Sequence, residues 1–229
     1  MTNGIKLVTL SAKLFTIMAR NKFKGLGIAL ITPFTQDGAV DFPALKRLVT
    51  YQLDNGADFL CILATTGEAP CLTREEKEKI TETVKELAQG RVPILKYCGG
   101  NNTRAVVEEI QNTDWTGIDG ILSICPYYNK PSQEGLYKHF KAISAVSPLP
   151  IVLYNVPGRT GVNLKPDTLV RLARECDNIV AVKEASGSLE QVDEIIKNKP
   201  EGFEVISGDD ALTFPMVASG AVGVISVIG

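Results

Sequence analysis

The sequence predicts an α/β protein folded as a closed parallel (β/α)8 barrel. Three observations point there: eight short apolar or β-rich runs, seven helix-like stretches between them, and near-continuous hydrophobicity within the runs, as expected of strands covered on both faces. The runs are residues 27–31, 59–63, 92–97, 120–124, 151–154, 179–183, 204–206 and 222–227. Their alternation at about 30 residues per unit is that of strand–helix–strand crossovers. Eight strands favour closure over an open doubly wound sheet. No GxGxxG follows the first run, which counts against a dinucleotide site.

The helical stretches carry their own start signals. Residues 41–55 open on Asp41, with Leu45, Leu48, Val49 and Leu53 at helical spacing. The next opens on Thr73-Arg74-Glu75-Glu76, a capping box with Thr73 as N-cap and Glu76 at N3, and continues through Ile80, Val84 and Leu87. The others cover about 103–111, 132–146, 166–176, 189–197 and 211–219. The sequence stops at Gly229, directly after the eighth run. A complete TIM barrel adds an eighth helix and runs to about 250 residues. The expectation is therefore a barrel over residues 23–229 that lacks its C-terminal helical region, preceded by an N-terminal extension at 1–22. Within that extension Leu7, Leu10, Leu14, Phe15 and Met18 recur at helical spacing, with basic residues and no acidic one. That pattern is like a transit peptide, but an upstream extension before a start near Met18 is the simpler reading.

Composition excludes several classes. A net charge of −2, with no basic stripe interleaved with aromatics, gives no footprint for nucleic acid. No apolar run approaches membrane-spanning length. The five cysteines are odd in number and show no CxxC spacing, so buried free thiols in a reducing compartment are expected. The single histidine, His139, cannot anchor a multi-histidine metal site and reads as a surface residue.

In a β/α barrel, functional residues gather at the C-terminal ends of the strands. There the chain has Thr65 and Thr66 after run two, Tyr127 and Tyr128 after run four, Tyr154 with Arg159 after run five, and Lys183 ending run six. A lysine rarely ends a buried strand unless it is paired or functional, because an unpaired ammonium is costly to desolvate. The same cost lowers the amine pKa, which suits an imine-forming nucleophile, and a phenol beside it can move protons. Taken singly, each residue has a plain structural use: a snorkelling lysine, a helix-capping threonine, a partly buried tyrosine or a surface arginine. Their joint placement at one mouth argues against those uses.

The motifs Thr65-Thr66-Gly67-Glu68, Pro126-Tyr127-Tyr128-Asn129, Tyr154-Asn155-Val156-Pro157-Gly158-Arg159-Thr160-Gly161, Lys183-Glu184-Ala185-Ser186-Gly187 and Ser207-Gly208-Asp209-Asp210 run in order from about Phe23 to Val227. Together they resemble the dihydrodipicolinate synthase family, pyruvate-dependent class I aldolases of the diaminopimelate route to lysine. The resemblance implies an imine between Lys183 and pyruvate, with Tyr154 shuttling protons in a relay that includes Thr66 and a Tyr128 supplied by the neighbouring subunit. Thr65 and Thr66 would hold the pyruvate carboxylate, Arg159 the carboxylate of aspartate semialdehyde, and the Ile225 carbonyl would help position nucleophile and pyruvate. It further implies no metal or organic cofactor, a cytoplasmic enzyme, and a homodimer or homotetramer. The family's lysine-inhibition site falls on Ala69, Arg74, Lys77, Asn101 and Tyr127. A glutamate of lysine-sensitive members aligns with Ala105, so weak or no feedback is expected. N-acetylneuraminate lyase and keto-deoxy sugar-acid aldolases share the lysine and tyrosine, but Arg159 and the paired threonines favour the synthase. An inactive barrel that acts only by binding is the remaining alternative.

Overall fold

The computed structural model describes residues 22–229, so the proposed amphipathic start lies outside the described residues. The eight strands are β1 (Gly25–Ala29), β2 (Phe59–Ile62), β3 (Ile94–Tyr97), β4 (Gly120–Ile124), β5 (Ile151–Asn155), β6 (Ile179–Glu184), β7 (Glu204–Ser207) and β8 (Gly223–Ser226). Each pairs in parallel with the next and β8 returns to β1, closing the predicted (β/α)8 barrel. The first strand sits two residues earlier than its apolar run. Pro33 has no N–H to extend the ladder, and Ile31 is left half-exposed beyond it.

The intervening helices are α1 (Phe42–Asp54), α2 (Arg74–Ala88), α3 (Thr103–Asn112), α4 (Gln133–Val146), a single turn α5 (Pro157–Thr160), α6 (Pro166–Glu175), α7 (Leu189–Asn198) and α8 (Thr213–Ser219). The expected caps are present. Asp41 accepts from the Ala44 N–H at 2.8 Å. In the capping box Thr73 Oγ1 accepts from the Glu76 N–H and the Glu76 carboxylate accepts from the Thr73 N–H. The last predicted helix begins instead as a 3-10 turn over Asp210–Leu212. Asp209 there accepts from the N–H groups of Ala211 and Leu212, which satisfies those donors in the tighter turn.

Side chains divide into one cluster inside the barrel and two between barrel and helices. The inner one includes Phe23, Phe59, Cys61, Leu95, Leu122, Val152, Tyr154, Ala181, Ile206 and Ile225. Phe59 fills its base, and its ring lies 2.2 Å from where a Cβ on Gly27 would stand, so Gly27 is glycine for space. The outer clusters serve β1–β3 with α1 and α2, and β4–β7 with α3, α4, α6 and α7.

One irregularity decides the orientation of β6. Against β5, Ile151 pairs with Ile179 but Val152 pairs with Ala181, leaving Val180 as an extra residue. Ile179 faces the outer cluster, whereas Val180 and Ala181 both face the barrel interior. Strand side chains alternate with period two, so an inserted residue inverts the phase of all that follows. After the bulge Val182 points outward, Lys183 inward and Glu184 outward. Without it Lys183 would face the helices.

Two expectations need correction. His139 is not a surface residue: it is 3% exposed, wedged between α4 and α3 with Nδ1 2.8 Å from Thr103 Oγ1. The apolar residues around it on α4, among them Phe140 in edge contact, carry it inward, and burial pushes its pKa down to about 4, so it stays neutral at pH 7. Cys71 is an exposed thiol, because it ends a one-turn 3-10 segment rather than a strand; the other four cysteines are buried and free as expected.

Replacing Phe59 with Ala is expected to lower stability by about 3–5 kcal/mol, because the transfer loss and the cavity cost add in a site walled by strands that cannot collapse. The urea midpoint of the full chain against the unsubstituted protein measures this; a shift under about 1 kcal/mol would show that the barrel base repacks.

Candidate active site

Tyr154 on β5 and Lys183 on β6 are register partners; regular alternation along β5 turns Tyr154 inward, and the bulge in β6 turns Lys183 to the same side. Lys183 Nζ stands 4.4 Å over the Tyr154 ring centroid, a cation–π contact made with the side chain only 3% exposed. Among the described residues the amine has no ion pair and no hydrogen bond. Burial holds its pKa below the usual 10.5, opposed by Cys61 and Asp210. Cys61, deep in the barrel on β2, cannot act as a counter-ion, since burial pushes its thiol up to about 11. Asp210 is tied by an Oδ2 that accepts from the Val227 N–H at 3.1 Å.

The methylene stem of Lys183 lies along Gly208. A Cβ there would stand 2.9 Å from both Cγ and Cε of the lysine, and 2.9 Å from Ala185 Cβ. Gly208 does not have a positive φ. Its glycine identity is therefore a matter of room for the lysine, not of backbone freedom. Tyr154 is also buried, which raises its phenol pKa; Arg159 opposes that rise.

Backs of the same strands are held by a buried polar network. Asn155, the register partner of Glu184, donates from Nδ2 to both carboxylate oxygens at 3.1 and 3.2 Å. The Ser186 N–H donates to Oε1 at 2.8 Å and Gln191 Nε2 to Oε2 at 3.2 Å. Asn155 also donates to Asn163 Oδ1 and accepts from the Leu164 N–H. Burial raises the Glu184 pKa while these donors resist it. The network ties β6 to the segment after β5 that carries Arg159.

The remaining predicted residues sit on loops around the mouth. Thr65 and Thr66 form a 3-10 turn, Thr65–Gly67, between left-handed residues Leu63 (φ 57°) and Glu68 (φ 52°). Thr32 Oγ1 clamps that turn by donating to the Gly67 carbonyl at 2.6 Å. Thr65 is exposed and Thr66 half-buried. Arg159 lies exposed on α5 and makes no ion pair among the described residues. Ile225 is buried on β8 beside Gly27 of β1. Tyr128 differs from the rest: it is 88% exposed, in a left-handed conformation (φ 69°), with its N–H bonded to the Thr160 carbonyl. Asn101 and Asn129 lace the same loop, Asn101 Nδ2 donating to the Tyr127 carbonyl and Asn129 Nδ2 to that of Asn101. Among the described residues Thr66, Tyr154 and Tyr128 share no hydrogen bond. Lys183 and Tyr154 are thus brought together, Arg159 acts on Tyr154 electrostatically, and Tyr128 stands apart.

Sequence reasoning missed Gly208, Cys61 and the Asn155–Glu184–Gln191 network. Cys61 sits in an apolar run and Glu184 directly follows the lysine, but neither signal says which face a side chain takes. Among the described residues no group of three or more His, Cys, Asp or Glu could hold a metal ion.

Comparison with known proteins gives a consistent result. A model described as the Dihydrodipicolinate synthetase family matches residues 22–229. The chain is 60% identical over 212 residues to 4-hydroxy-tetrahydrodipicolinate synthase of Phocaeicola vulgatus, covering 93% of this chain and 71% of that protein. It is 50% identical over 206 residues to the Bacillus subtilis protein of that name, covering 90% and 71%. The crystal structure of dihydrodipicolinate synthase from Aquifex aeolicus superposes with a TM-score of 0.85 at 47% identity, covering 90% of this chain and 70% of that one. A monomeric dihydrodipicolinate synthase variant superposes with a TM-score of 0.87 at 41% identity, covering 93% and 70%.

Gly208→Ala is expected to lower stability by about 1–3 kcal/mol, because its Cβ would overlap Ala185 Cβ and the lysine stem, and to slow reductive trapping of a 2-keto acid at Lys183 by about tenfold or more. Trapping at the unsubstituted rate would show that the lysine stem has slack.

Proposed function

The chain belongs to the dihydrodipicolinate synthetase family, and on that premise we propose that Lys183 is the Schiff-base residue of its active site. The reaction is the lyase-class condensation of pyruvate with aspartate semialdehyde to 4-hydroxy-tetrahydrodipicolinate, on the diaminopimelate route to lysine. The observation that carries the residue assignment is a buried amine at the barrel mouth, without an ion pair among the described residues and 4.4 Å over the Tyr154 ring.

Desolvation leaves more of the amine neutral near pH 7 than a solvated lysine would have, and only the neutral amine attacks. Nζ adds to the pyruvate carbonyl carbon and water leaves, giving a protonated imine. The imine draws electrons from the methyl group, which loses a proton to become an enamine. The enamine carbon attacks the aldehyde of the second substrate, forming the carbon–carbon bond, and the new alkoxide takes up a proton. Attack of the substrate's own amine on the imine closes the ring and frees Lys183, so one water is lost overall. Tyr154, its phenol kept protonated by burial, serves these proton movements, with Thr66 as its partner within the chain. Thr65 and Thr66 bind the pyruvate carboxylate, the Ile225 carbonyl orients nucleophile and pyruvate, and the free guanidinium of Arg159 takes the carboxylate of the semialdehyde as a planar fork. The covalent imine supplies the electron sink, so this reading needs no metal or organic cofactor.

The exposed Tyr128 completes the relay of a second copy, which makes a homodimer the smallest full site and a homotetramer a natural extension; one solved relative is a monomeric variant. The enzyme is assigned to the cytoplasm, in keeping with its free thiols; no helix among the described residues is long and apolar enough to cross a membrane. Ala105 offers no carboxylate for an inhibitor's amine, so lysine feedback is weak or absent.

Borohydride reduction in the presence of pyruvate should leave one stable adduct, mapped to Lys183 by peptide mass analysis, and Lys183→Met should abolish it. An adduct elsewhere would overturn the assignment. A second consequence concerns stability. With the folded-state pKa depressed, the unfolded chain binds more protons, so stability rises with pH between that value and 10.5 and the cost is full below it. Lys183→Met should therefore be the more stable protein at pH 7, with a margin that narrows toward pH 10; denaturant titrations at both pH values measure it.

A further inference from the structure

Tyr97 is a fourth phenol at this mouth, beyond Tyr154, Tyr127 and Tyr128. It ends β3, partly buried, with its ring packed on the inner cluster that contains Tyr154, Leu122 and Ile124. Its hydroxyl makes no hydrogen bond among the described residues, although the ring sits where the barrel is otherwise apolar. The hydroxyl is not among the fully buried unpartnered atoms, so it is left open to a ligand entering the mouth. Tyr154 and Tyr127 are both close enough to act on its phenol, and burial raises the pKa further, so the hydroxyl remains protonated and able to donate.

The strand order then separates two regions of the mouth. Lys183 on β6 lies on one side of Tyr154, and Tyr97 on β3 lies on the other, within electrostatic reach of Tyr127. Pyruvate held as an imine occupies the lysine side. Tyr97 stands across Tyr154 from the lysine, on the side left for a second substrate. We propose that Tyr97 is a further residue of the acceptor subsite, its hydroxyl donating to an oxygen of the incoming short-chain aldehyde and its ring limiting the length of chain accepted. This rests on the imine reading above.

The test uses the full chain, its Tyr97→Phe and Tyr97→Leu variants, and two measurements: reductive trapping with pyruvate alone, and steady-state kinetics with pyruvate and aspartate semialdehyde. Tyr97→Phe should raise KM for the semialdehyde by about tenfold while leaving pyruvate KM and the trapping rate within about twofold. Tyr97→Leu should do the same and also raise kcat/KM for a longer hydroxyaldehyde relative to the semialdehyde. A merely structural tyrosine would instead depress kcat, or shift both KM values alike, and either pattern overturns the inference. So does an unchanged semialdehyde KM in Tyr97→Phe, the isosteric variant, which decides the matter should Tyr97→Leu fail to fold. If the unsubstituted chain traps pyruvate, only the subsite assignment is then lost; if it fails to trap pyruvate, the imine reading falls and this inference with it.

Discussion

The bulge at Val180 and the burial of Lys183 form one constraint on which the rest of the site depends. An ammonium taken into an apolar barrel without a counter-ion costs free energy that the fold has to offset elsewhere. The chain keeps the lysine there by inverting the phase of β6 with one extra residue, so that Ala181 and Lys183 face inward while Val182 continues the outer core. Among the described residues no carboxylate pairs with the amine: Cys61 stays a thiol, and Asp210, which favours the charged form from a distance, is tied to the Val227 amide. The result is an amine biased toward its neutral form, pinned between the Tyr154 ring and Gly208.

Glu184 shows how the opposite face of the same strand carries the mechanical load. It is as buried as its neighbour, yet it accepts from three groups where the lysine is paired with none among the described residues. A buried carboxylate with its oxygens satisfied anchors local geometry, whereas a buried amine without partners is reactive. Asn155 joins the two strands directly behind the Tyr154–Lys183 pair, and Asn163 and Leu164 extend the same network into the segment leading from Arg159. The position of the acid–base pair and that of the exposed arginine are thereby referred to a common rigid base.

Much of this was legible in the linear chain because the signals were local. Asp41 and the Thr73–Glu76 box marked helix starts since a cap needs only a side chain and amides two or three residues away. Strand ends followed from where apolar runs meet glycine, proline and hydroxyl residues. Lys183, Tyr154, Thr65, Thr66 and Arg159 could be picked out because in this architecture strand ends converge. Other features were hidden for equally definite reasons. His139 carries no mark of burial, since its inward position depends on the packing of α4 against α3. Gly208 looked like loop punctuation, and its role emerges only when the lysine stem from another strand lies across it.

The sequence by itself determined the alternation, the caps, the closed eight-stranded architecture and the roster of residues suited to imine chemistry, because periodicity and capping are properties of neighbours in the chain. Only the tertiary structure decided which way those residues face. The Val180 bulge exists only as a mismatch of register between β5 and β6. The lowered pKa of Lys183 and the raised one of Tyr154 both depend on what distant strands remove from water around them. Burial and register are relations between segments, and no single segment carries them.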